Sequence, residues 1–358
     1  MRIATVAGAR PQFIKAAVVS RALKKLQGIS EFIIHTGQHY DENMSRIFFD
    51  EMNIDEPMYN LGIKESMHGA MTGAMLTGIE KVLMNEKPDY VLVYGDTNTT
   101  LAGAIAACKL HIPVAHVEAG LRSYNRRMPE EINRILTDNI STLLFCPAQK
   151  AVDNLRHEGF DKGPHSIHCV GDVMYDAALY YSSLPGNDIL ERLNIKGENF
   201  LLCTVHRAEN TNDILRLKNI IAALNTLHAS VPVILPLHPR TKAVLTKENI
   251  EIDFHIIDPV GYPDMLQLLK HCSLVITDSG GLQKEAFYFD KYCVILRDET
   301  EWVELVENKY CFLAGSSTTF IVDAVMAYAD KKIPAPLKLY GAGNAGELIA
   351  DILLKQNG

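Results

Sequence analysis

Two short segments of the 358-residue chain place small residues at the start of a predicted helix. In GARPQFIK, an apolar run ends at Gly8, and Pro11 suits the first position of a helix, where its missing N–H has no partner to lose. Arg10 and Lys15 add two cations to that turn, and in TDSGGLQKEA Ser279 precedes two glycines whose bare backbone can approach a ligand closely. Because unpaired N–H groups and the helix dipole favour negative charge, both segments predict anion binding, and Ser-Gly-Gly is the stronger signal. The alternative for GARPQFIK is an ordinary strand-to-helix turn with two solvated cations.

Further polar side chains follow apolar runs elsewhere in the chain. Asp96 follows one in LVYGDTNTT, Glu118 follows one in VAHVEAGLRS, and Glu130 opens a predicted helix in RRMPEEINR. In the second half, His206 follows an apolar run in LLCTVHRAEN, and His238 follows one in PLHPRT. Each has a structural alternative, since Asp96 could cap a helix, Glu130 could complement the helix dipole, and His206 could lie satisfied in the core. The recurrence of polar clusters at predicted strand ends nevertheless indicates a functional site.

The elements that would position these residues alternate regularly along the chain. Short apolar runs without alternation predict buried strands, and patterns with helical spacing lie between them. Strands that alternate with helices indicate parallel sheets built from right-handed strand–helix–strand units. The sequence therefore predicts an α/β protein with two doubly wound domains and a boundary near Val170, in which the carboxyl ends of the strands face a shared cleft. The predicted strands are 3–7, 31–36, 90–94, 114–117, 143–146, 200–205, 233–236, 255–257, 274–277 and 293–296, and the predicted helices are 11–26, 67–85, 99–110, 129–140, 212–229, 262–271 and 281–289.

The composition narrows the class of protein. A length of 358 residues suggests two domains, and an apolar fraction of 47% is typical of a soluble globular chain. The net charge of −8 argues against general nucleic-acid binding, and no apolar run reaches the about 18 residues that a membrane span needs. The cysteines form no CxxC pair, and the N-terminal apolar run meets Arg10 too soon for a signal peptide. We therefore expect a cytoplasmic protein with reduced thiols, no membrane association and no nucleic-acid partner.

A set of motifs along the chain carries a family resemblance: GARPQFIK, TGQHYDENM, VYGDTNTT, HVEAGLRS, MPEEINR, HRAEN, LHPRT and TDSGGLQKEA. In this order, and over nearly the whole chain, they resemble the non-hydrolysing UDP-N-acetylglucosamine 2-epimerases. The resemblance implies two Rossmann-like domains in a glycosyltransferase-B (GT-B) arrangement, with the active site in the interdomain cleft. It implies an N-terminal domain over 1–170 that carries the catalytic acids, a UDP-binding domain over 171–343, and a C-terminal helix within 344–358 that returns to the first domain. A homodimer is usual in this family.

The resemblance also assigns roles to individual residues. The catalytic set would comprise Asp96, Glu118, Glu130 and His206. UDP would be bound by Arg10, Lys15, His238, Ser279, Gly280, Gly281 and Glu285, with Arg10 and the Ser-Gly-Gly turn on the diphosphate and Glu285 on the ribose. Gln38 and Arg207, together with His238, match residues that bind a second, activating substrate molecule in many bacterial relatives. Asp41 and Ala74 stand where glutamine and arginine are usual, so we expect this second site to be weak.

The implied reaction is an elimination followed by a re-addition. The C2 proton of such a sugar is not next to a carbonyl, so a base would remove it while UDP leaves C1, which gives a bound 2-acetamidoglucal. A proton would then return on the other face while UDP adds back, which gives the manno epimer. Such proton transfer needs carboxyl groups in different protonation states, and three acids in one cleft should raise at least one pKa by mutual repulsion. The reaction requires no nicotinamide, flavin or metal.

One segment departs from the family pattern and bears on the identity of the sugar. Many relatives carry Thr-Glu-Arg-Pro-Glu where this chain has ETEWVELVE, with Trp302 and Val303 in place of Arg-Pro. Together with RRMPEEINR, VGDVMYD and DPVGY, this segment is similar to the branch that acts on UDP-2,3-diacetamido-2,3-dideoxyglucuronate. The alternative is that Trp302 simply packs beneath the loop.

Two other functions are compatible with the same architecture. A glycosyltransferase would need an acceptor site, and Asp96, Glu118 and Glu130 are more acids than it requires. A non-catalytic nucleotide-sugar sensor would keep the diphosphate-binding turns but has no use for His206 together with three acids. The sequence therefore favours an epimerase, and the resemblance implies that it supplies precursors for cell-surface polysaccharide.

Overall fold

A sheet of parallel strands forms the core of the first unit of the chain. The structure, a computed structural model, describes residues 1–37, 54–184, 188–334 and 337–356. Within these residues the sheet has seven strands in the order β3–β2–β1–β4–β5–β6–β7, and all neighbours pair in parallel. The strands are β1 (Arg2–Ala7), β2 (Ser30–His35), β3 (Tyr59–Asn60), β4 (Tyr90–Tyr94), β5 (Val114–Val117), β6 (Leu143–Cys146) and β7 (Ser166–Cys169). The helices are α1 (Arg10–Leu23), α2 (His68–Glu86), α3 (Asn98–Lys109), α4 (Pro129–Ile140), α5 (Gln149–His157) and α6 (Val173–Ser183), with a 3₁₀ turn at Phe160–Lys162.

The second unit is built round a parallel sheet of its own. Among the described residues this sheet has six strands in the order β10–β9–β8–β11–β12–β13. The strands are β8 (Leu201–Thr204), β9 (Val233–Pro236), β10 (His255–Ile257), β11 (Leu274–Thr277), β12 (Cys293–Ile295) and β13 (Cys311–Leu313). The helices are α7 (Ile189–Arg192), α8 (Ala208–Thr211), α9 (Ile214–His228), α10 (Pro239–Lys247), α11 (Tyr262–His271), α12 (Gly280–Tyr288), α13 (Val303–Glu307) and α14 (Thr318–Tyr328), while α15 (Ala345–Lys355) belongs to the first unit.

The central strands are buried on both faces, which explains why their sequences lack alternation. All residues of β5, β6, β9 and β11 are buried. Parallel sheets of this kind are covered by helices on both sides, so side chains that point either way are mostly apolar. The predicted α/β fold with a parallel sheet in each half is confirmed. Asp96, Glu118, His206 and Asp278 all follow the carboxyl ends of strands in these sheets.

The two units divide the chain within helix α6. One unit comprises Met1–Leu179 with Lys338–Gly358, and the other comprises Tyr180–Leu337. The boundary predicted from the sequence is near 170, and the predicted returning segment is 344–358. The segment before α15 lies on the first unit because the Asp172 N–H donates to Tyr340 O at 3.0 Å, and because Gly171, with a φ of 91°, lets the two backbones come close.

Helix α15 docks on α1 through its N-terminal turn. Asp176 of α6 accepts a hydrogen bond of 2.9 Å from Gly346 N, and a Cβ at Gly346 would lie 2.7 Å from the Val18 side chain of α1. Burial raises the pKa of Asp176 to about 6, although the N–H groups of Gly346 and Ala345 oppose the shift. The Oδ1 atom of Asp176 is buried and has no hydrogen-bond partner among the described residues. The folded state therefore favours the protonated carboxyl.

We expect Asp176 to make the folded state less stable as the pH rises from about 4 to about 6. Its folded pKa of about 6 lies above the ordinary value of 3.8, so its contribution is complete below the lower value and is lost as pH passes the higher one. Asp176→Asn keeps an acceptor for Gly346 N–H and removes the titration. Urea unfolding of both proteins between pH 4 and 7.5 should show the variant gaining stability relative to the wild type as pH rises. A stability difference that stays constant over this range would contradict the assignment.

Candidate active site

Asp96 lies in the turn after β4 and is paired with an arginine from α4. Its Oδ2 atom accepts a hydrogen bond of 3.1 Å from Arg134 Nε and forms an ion pair with Nη2 of the same guanidinium. Burial raises the pKa of Asp96, and the Glu118 carboxylate adds to the rise, while Arg134 and Lys15 oppose both. The expected upward shift therefore occurs, but burial, rather than repulsion between acids, is its larger cause.

Glu118 lies at the end of the neighbouring strand β5 and is paired with Lys15 of α1. The Lys15 ammonium and Glu118 Oε2 form an ion pair whose side chains are 12% and 9% exposed. Glu118 has a φ of 74°, a backbone conformation that is uncommon for a residue with a side chain. Gly95 leaves room for this pair, since a Cβ there would lie 3.3 Å from both Glu118 Oε2 and Lys15 Nζ. Lys15, a predicted UDP-binding residue, therefore forms an ion pair with a carboxylate of the predicted catalytic set.

The two acids at the start of α4 have different surroundings. Glu131 is buried and accepts hydrogen bonds of 2.9 Å from the N–H groups of Ser123 and Tyr124 and one of 2.8 Å from Arg134. Burial alone would raise the pKa of Glu131, but these hydrogen bonds and the Arg134 charge hold it below its ordinary value. Glu130, the predicted catalytic residue, is exposed. Glu131 and Arg134 had no predicted role, although their spacing of three in EEINR puts them on one helix face.

Gln12 is a further residue that the sequence analysis missed. Its Oε1 atom accepts hydrogen bonds from the N–H groups of Gly8 at 2.9 Å and Ala9 at 3.0 Å, and its Nε2 donates to Tyr94 O at 2.9 Å. The expectation of unpaired amides in this turn is therefore wrong for Gly8 and Ala9, because a side chain of the same helix satisfies them. Arg10 is exposed at the start of α1. An anion here would meet the guanidinium and the positive end of the helix dipole.

In the second unit, the buried carboxylate of Asp278 organises the segment that follows β8. Its Oδ2 atom accepts hydrogen bonds of 2.9 Å from the N–H groups of His206 and Arg207 and one of 3.1 Å from Asn210 Nδ2. The His206 ring lies with Nδ1 3.3 Å from Asp278 Oδ1, and its centroid is 5.6 Å from that of His238. Burial lowers the pKa of His206, the Asp278 charge opposes this, and His238 lowers it further. The structure thus brings two predicted site residues, His206 and His238, together and adds Asp278, which had no predicted role.

The Ser-Gly-Gly turn begins α12 and rests on Trp302. Ser279 caps the helix by accepting a hydrogen bond from an N–H group of its first turn. Trp302 is 5% exposed, and its Nε1 donates to Gly280 O at 2.9 Å, so this indole packs against the turn as the structural alternative supposed. A Cβ at Gly280 would clash with Glu301, whereas one at Gly281 would meet open space. A ligand could therefore approach the backbone most closely at Gly281.

The remaining predicted residues are more scattered. Glu285 is buried within α12, Arg207 precedes α8, and Ala74 lies in α2, whereas Gln38 and Asp41 lie outside the described residues.

In the part of the chain that the structure describes, no group of three or more His, Cys, Asp or Glu side chains could hold a metal ion. No helix there has the length and apolar character that crossing a membrane requires.

Two parallel-sheet domains, with paired acids on one and a Ser-Gly-Gly turn on the other, define a two-domain α/β protein, and solved structures share this fold. The crystal structure of the UDP-GlcNAc 2-epimerase of Methanocaldococcus jannaschii in complex with UDP-GlcNAc and UDP matches with a TM-score of 0.88 and 44% identity, over 99% of this chain and 100% of that one. The crystal structure of the UDP-GlcNAc 2-epimerase of Neisseria meningitidis bound to UDP-GlcNAc matches with a TM-score of 0.86 and 31% identity, over 99% and 100% of the two chains. The expected GT-B fold is confirmed.

Sequence comparison agrees with the structural comparison. A family model described as UDP-N-acetylglucosamine 2-epimerase matches residues 21–354. The UDP-2,3-diacetamido-2,3-dideoxy-D-glucuronate 2-epimerase of Pseudomonas aeruginosa is 53% identical over 99% of this chain and 100% of its own length. The UDP-N-acetylglucosamine 2-epimerase of M. jannaschii is 44% identical over 99% of each chain. The chain belongs to the UDP-N-acetylglucosamine 2-epimerase family, as its motifs indicated.

Replacing Arg134 should change the titration of Asp96. Arg134→Met removes a cation that opposes the effect of burial, so the pKa of Asp96 should rise. Arg134→Lys keeps a positive charge and should change the titration less. Carbon-13 NMR of labelled aspartate carboxyl groups, with the Asp96 signal assigned from Asp96→Asn, measures the effect. If Asp96 titrates identically in the wild type and in Arg134→Met, the pairing does not govern this carboxyl group.

Proposed function

We propose that this chain inverts C2 of UDP-2,3-diacetamido-2,3-dideoxy-D-glucuronate by eliminating UDP and adding it back. The observation that carries the proposal is full-length similarity to the P. aeruginosa enzyme named for that sugar, at 53% identity, against 44% for the M. jannaschii enzyme named for UDP-N-acetylglucosamine. The same reaction on UDP-N-acetylglucosamine is the second candidate, favoured by the M. jannaschii structure with that compound bound.

The proposed reaction balances in protons and electron pairs. A base takes the proton from C2, the C–H electron pair forms a C1–C2 double bond, and the C1–O bond breaks with its electrons on UDP. The bound 2-acetamidoglycal then accepts a proton at C2 on its other face while a UDP oxygen restores the bond to C1. Two proton transfers on opposite faces require at least two acid–base groups.

Asp96 and Glu118 suit these transfers because their surroundings differ. Glu118 is paired with the Lys15 ammonium, whereas burial raises the pKa of Asp96. A carboxylate can take a proton and a carboxylic acid can return one, so two carboxyl groups in unlike environments can divide the task. We include Glu130 in the catalytic set on the strength of its match to the motif MPEEINR.

The departing UDP gains negative charge, which several groups of the chain would stabilise. Arg10 offers an exposed guanidinium at the start of α1, and Ser279 begins a helix whose N-terminal turn favours an anion. Burial lowers the pKa of His206, although the Asp278 charge opposes this, and a diphosphate beside the ring would favour its doubly protonated form. The proposed UDP-binding residues are Arg10, Lys15, His238, Ser279, Gly280, Gly281 and Glu285.

We further propose that the enzyme works as a homodimer in the cytoplasm. Homodimers are usual in the family that the motifs indicate. All seven cysteines are free, and five of them, Cys146, Cys203, Cys272, Cys293 and Cys311, are buried. Unpaired thiols of this kind are typical of a reducing compartment. Sedimentation velocity on the purified protein measures its assembly state.

In heavy water, the purified protein should incorporate deuterium at C2 of UDP-2,3-diacetamido-2,3-dideoxy-D-glucuronate and yield both epimers without an added cofactor. NMR at C2 follows exchange and epimerisation together. We expect kcat/KM for this sugar to exceed that for UDP-N-acetylglucosamine by at least about tenfold, because a site that binds a carboxylate would leave its partner group unpaired with the simpler sugar.

Each other outcome of this experiment identifies a different function. Exchange with UDP-N-acetylglucosamine alone would change the proposed sugar but keep the reaction. Neither sugar exchanging would overturn the epimerase proposal. Transfer of the sugar to an acceptor would then indicate a glycosyltransferase, and binding without turnover would indicate a sensor.

Substitutions should separate proton transfer from UDP binding. Glu118→Gln and Glu130→Gln keep the side-chain shape but remove a proton carrier, so each should lower kcat by about 10²–10⁴-fold while UDP still binds. Arg10→Ala should weaken UDP binding, because it deletes a charge-assisted contact to phosphate. Calorimetric titration with UDP and steady-state kinetics measure the two effects.

The matched control is Glu191→Gln, which changes an exposed first-turn acid of α7 and should behave as the wild type. Near-normal kcat in both glutamine variants would remove these acids from the mechanism.

A further inference from the structure

A buried cluster of charged side chains connects the two turns that carry Asp96 and Glu118. His116 of β5 and Asp138 of α4 are both 0% exposed, and His116 Nδ1 lies 2.7 Å from Asp138 Oδ1. Arg122 donates to Asp138 Oδ2 at 2.7 Å. Buried charges are costly unless they are paired and hydrogen-bonded, so such a cluster close to a site calls for an explanation.

The hydrogen bonds within the cluster fit an ionised Asp138 and a doubly protonated His116. His116 Nε2 lies 2.7 Å from Gly95 O, so both ring nitrogens face acceptors, and only the imidazolium form can donate to both. Burial would raise the pKa of Asp138, but His116 and Arg122 hold it below its ordinary value. Glu158 in turn holds Arg122 with two hydrogen bonds of 2.8 Å.

The same two side chains contact the backbone on either side of the acids. Gly95, whose carbonyl His116 binds, immediately precedes Asp96. Asp138 Oδ2 accepts a hydrogen bond of 3.2 Å from Gly120 N, two residues after Glu118. Gly95, Glu118 and Gly120 all have positive φ, of 64°, 74° and 81°. Positive φ is unstrained for the two glycines, but for Glu118 it costs free energy and persists because neighbouring contacts hold the backbone there.

We propose that the His116–Asp138 pair positions the Asp96 and Glu118 carboxyl groups relative to each other by holding the turns that carry them. Neither member of the pair is assigned to the substrate, so its effect on the proposed reaction passes through those two acids. A shift of about 1 Å in a reacting group can cost about 10²-fold in rate. The pair therefore acts on kcat rather than on UDP binding, and this consequence rests on the proposed function.

The first test is kinetic and uses the full-length protein. His116→Ala should lower kcat by about 10²-fold with little change in KM or in UDP affinity, since ground-state binding does not depend on the spacing of the acids. His116→Gln retains one amide donor, which can reach one acceptor at a time, so its kcat should lie between those of wild type and His116→Ala. His168→Gln is the matched control, because His168 is a half-buried histidine on β7 of the same sheet, with its ring 5.8 Å from that of Phe145. Its kcat should stay close to wild type.

The second test needs no turnover and so remains valid if the proposed function fails. Because the Glu118 carboxylate raises the pKa of Asp96, Glu118→Gln should lower it, which carbon-13 NMR of labelled aspartate can follow. If the His116–Asp138 pair sets the separation of the two acids, the same Glu118→Gln change should lower the Asp96 pKa by less in a His116→Ala background.

Asp138→Asn keeps the shape of the pair but removes the Asp138 charge. If His116→Ala does not fold, kcat, UDP affinity and the Asp96–Glu118 coupling are measured in Asp138→Asn instead. An Asp96–Glu118 coupling that is unchanged in these variants would overturn the proposal. A wild-type kcat in these variants would also overturn the proposal. Equal losses of kcat and of UDP affinity would overturn it as well, because they would indicate that the pair only stabilises the fold.

Discussion

The register between β4 and β5 is the constraint on which the site of the first unit depends. Parallel pairing sets Tyr94 opposite Val117, and the Gly95 N–H then donates to Val117 O at 3.0 Å as the two chains leave the sheet. Asp96 and Glu118 follow at once, on adjacent turns. A slip of one residue would turn each side chain of a strand to the opposite face and would displace one carboxyl group from the other. Two apolar strands thus determine the position of acids that they do not contain.

The second unit uses the same arrangement. Strands β8 and β11 pair with Thr204 opposite Thr277, so the segments that follow them also leave the sheet side by side. Asp278, after β11, accepts the N–H group of His206, after β8, much as Asp138 accepts the N–H of Gly120 in the first unit. In both units a buried aspartate holds the backbone of a turn that carries a proposed catalytic residue. Each carboxylate satisfies backbone donors that would otherwise be buried without partners.

The sequence by itself determined what local patterns encode. The predicted strands 90–94, 114–117 and 143–146 coincide with β4, β5 and β6, because strands buried on both faces are continuous apolar runs. The motifs after those strands indicated the family that the comparisons then identified. Strand β7, which lies at the edge of its sheet, was not predicted, because its residues Ser166–Cys169 are half-buried or exposed and form no apolar run.

Tertiary structure decided which side chains are partners. Lys15 meets Glu118 across 103 residues of chain and Arg134 meets Asp96 across 38, separations over which no local pattern reports a contact. Spacing also could not show that Gln12 would occupy the amides of the first turn, or that burial more than repulsion would raise the pKa of Asp96. Periodicity and turn residues act over a few positions, so they are readable from the sequence. The burial and pairing of a charge depend on elements that meet only in the folded chain.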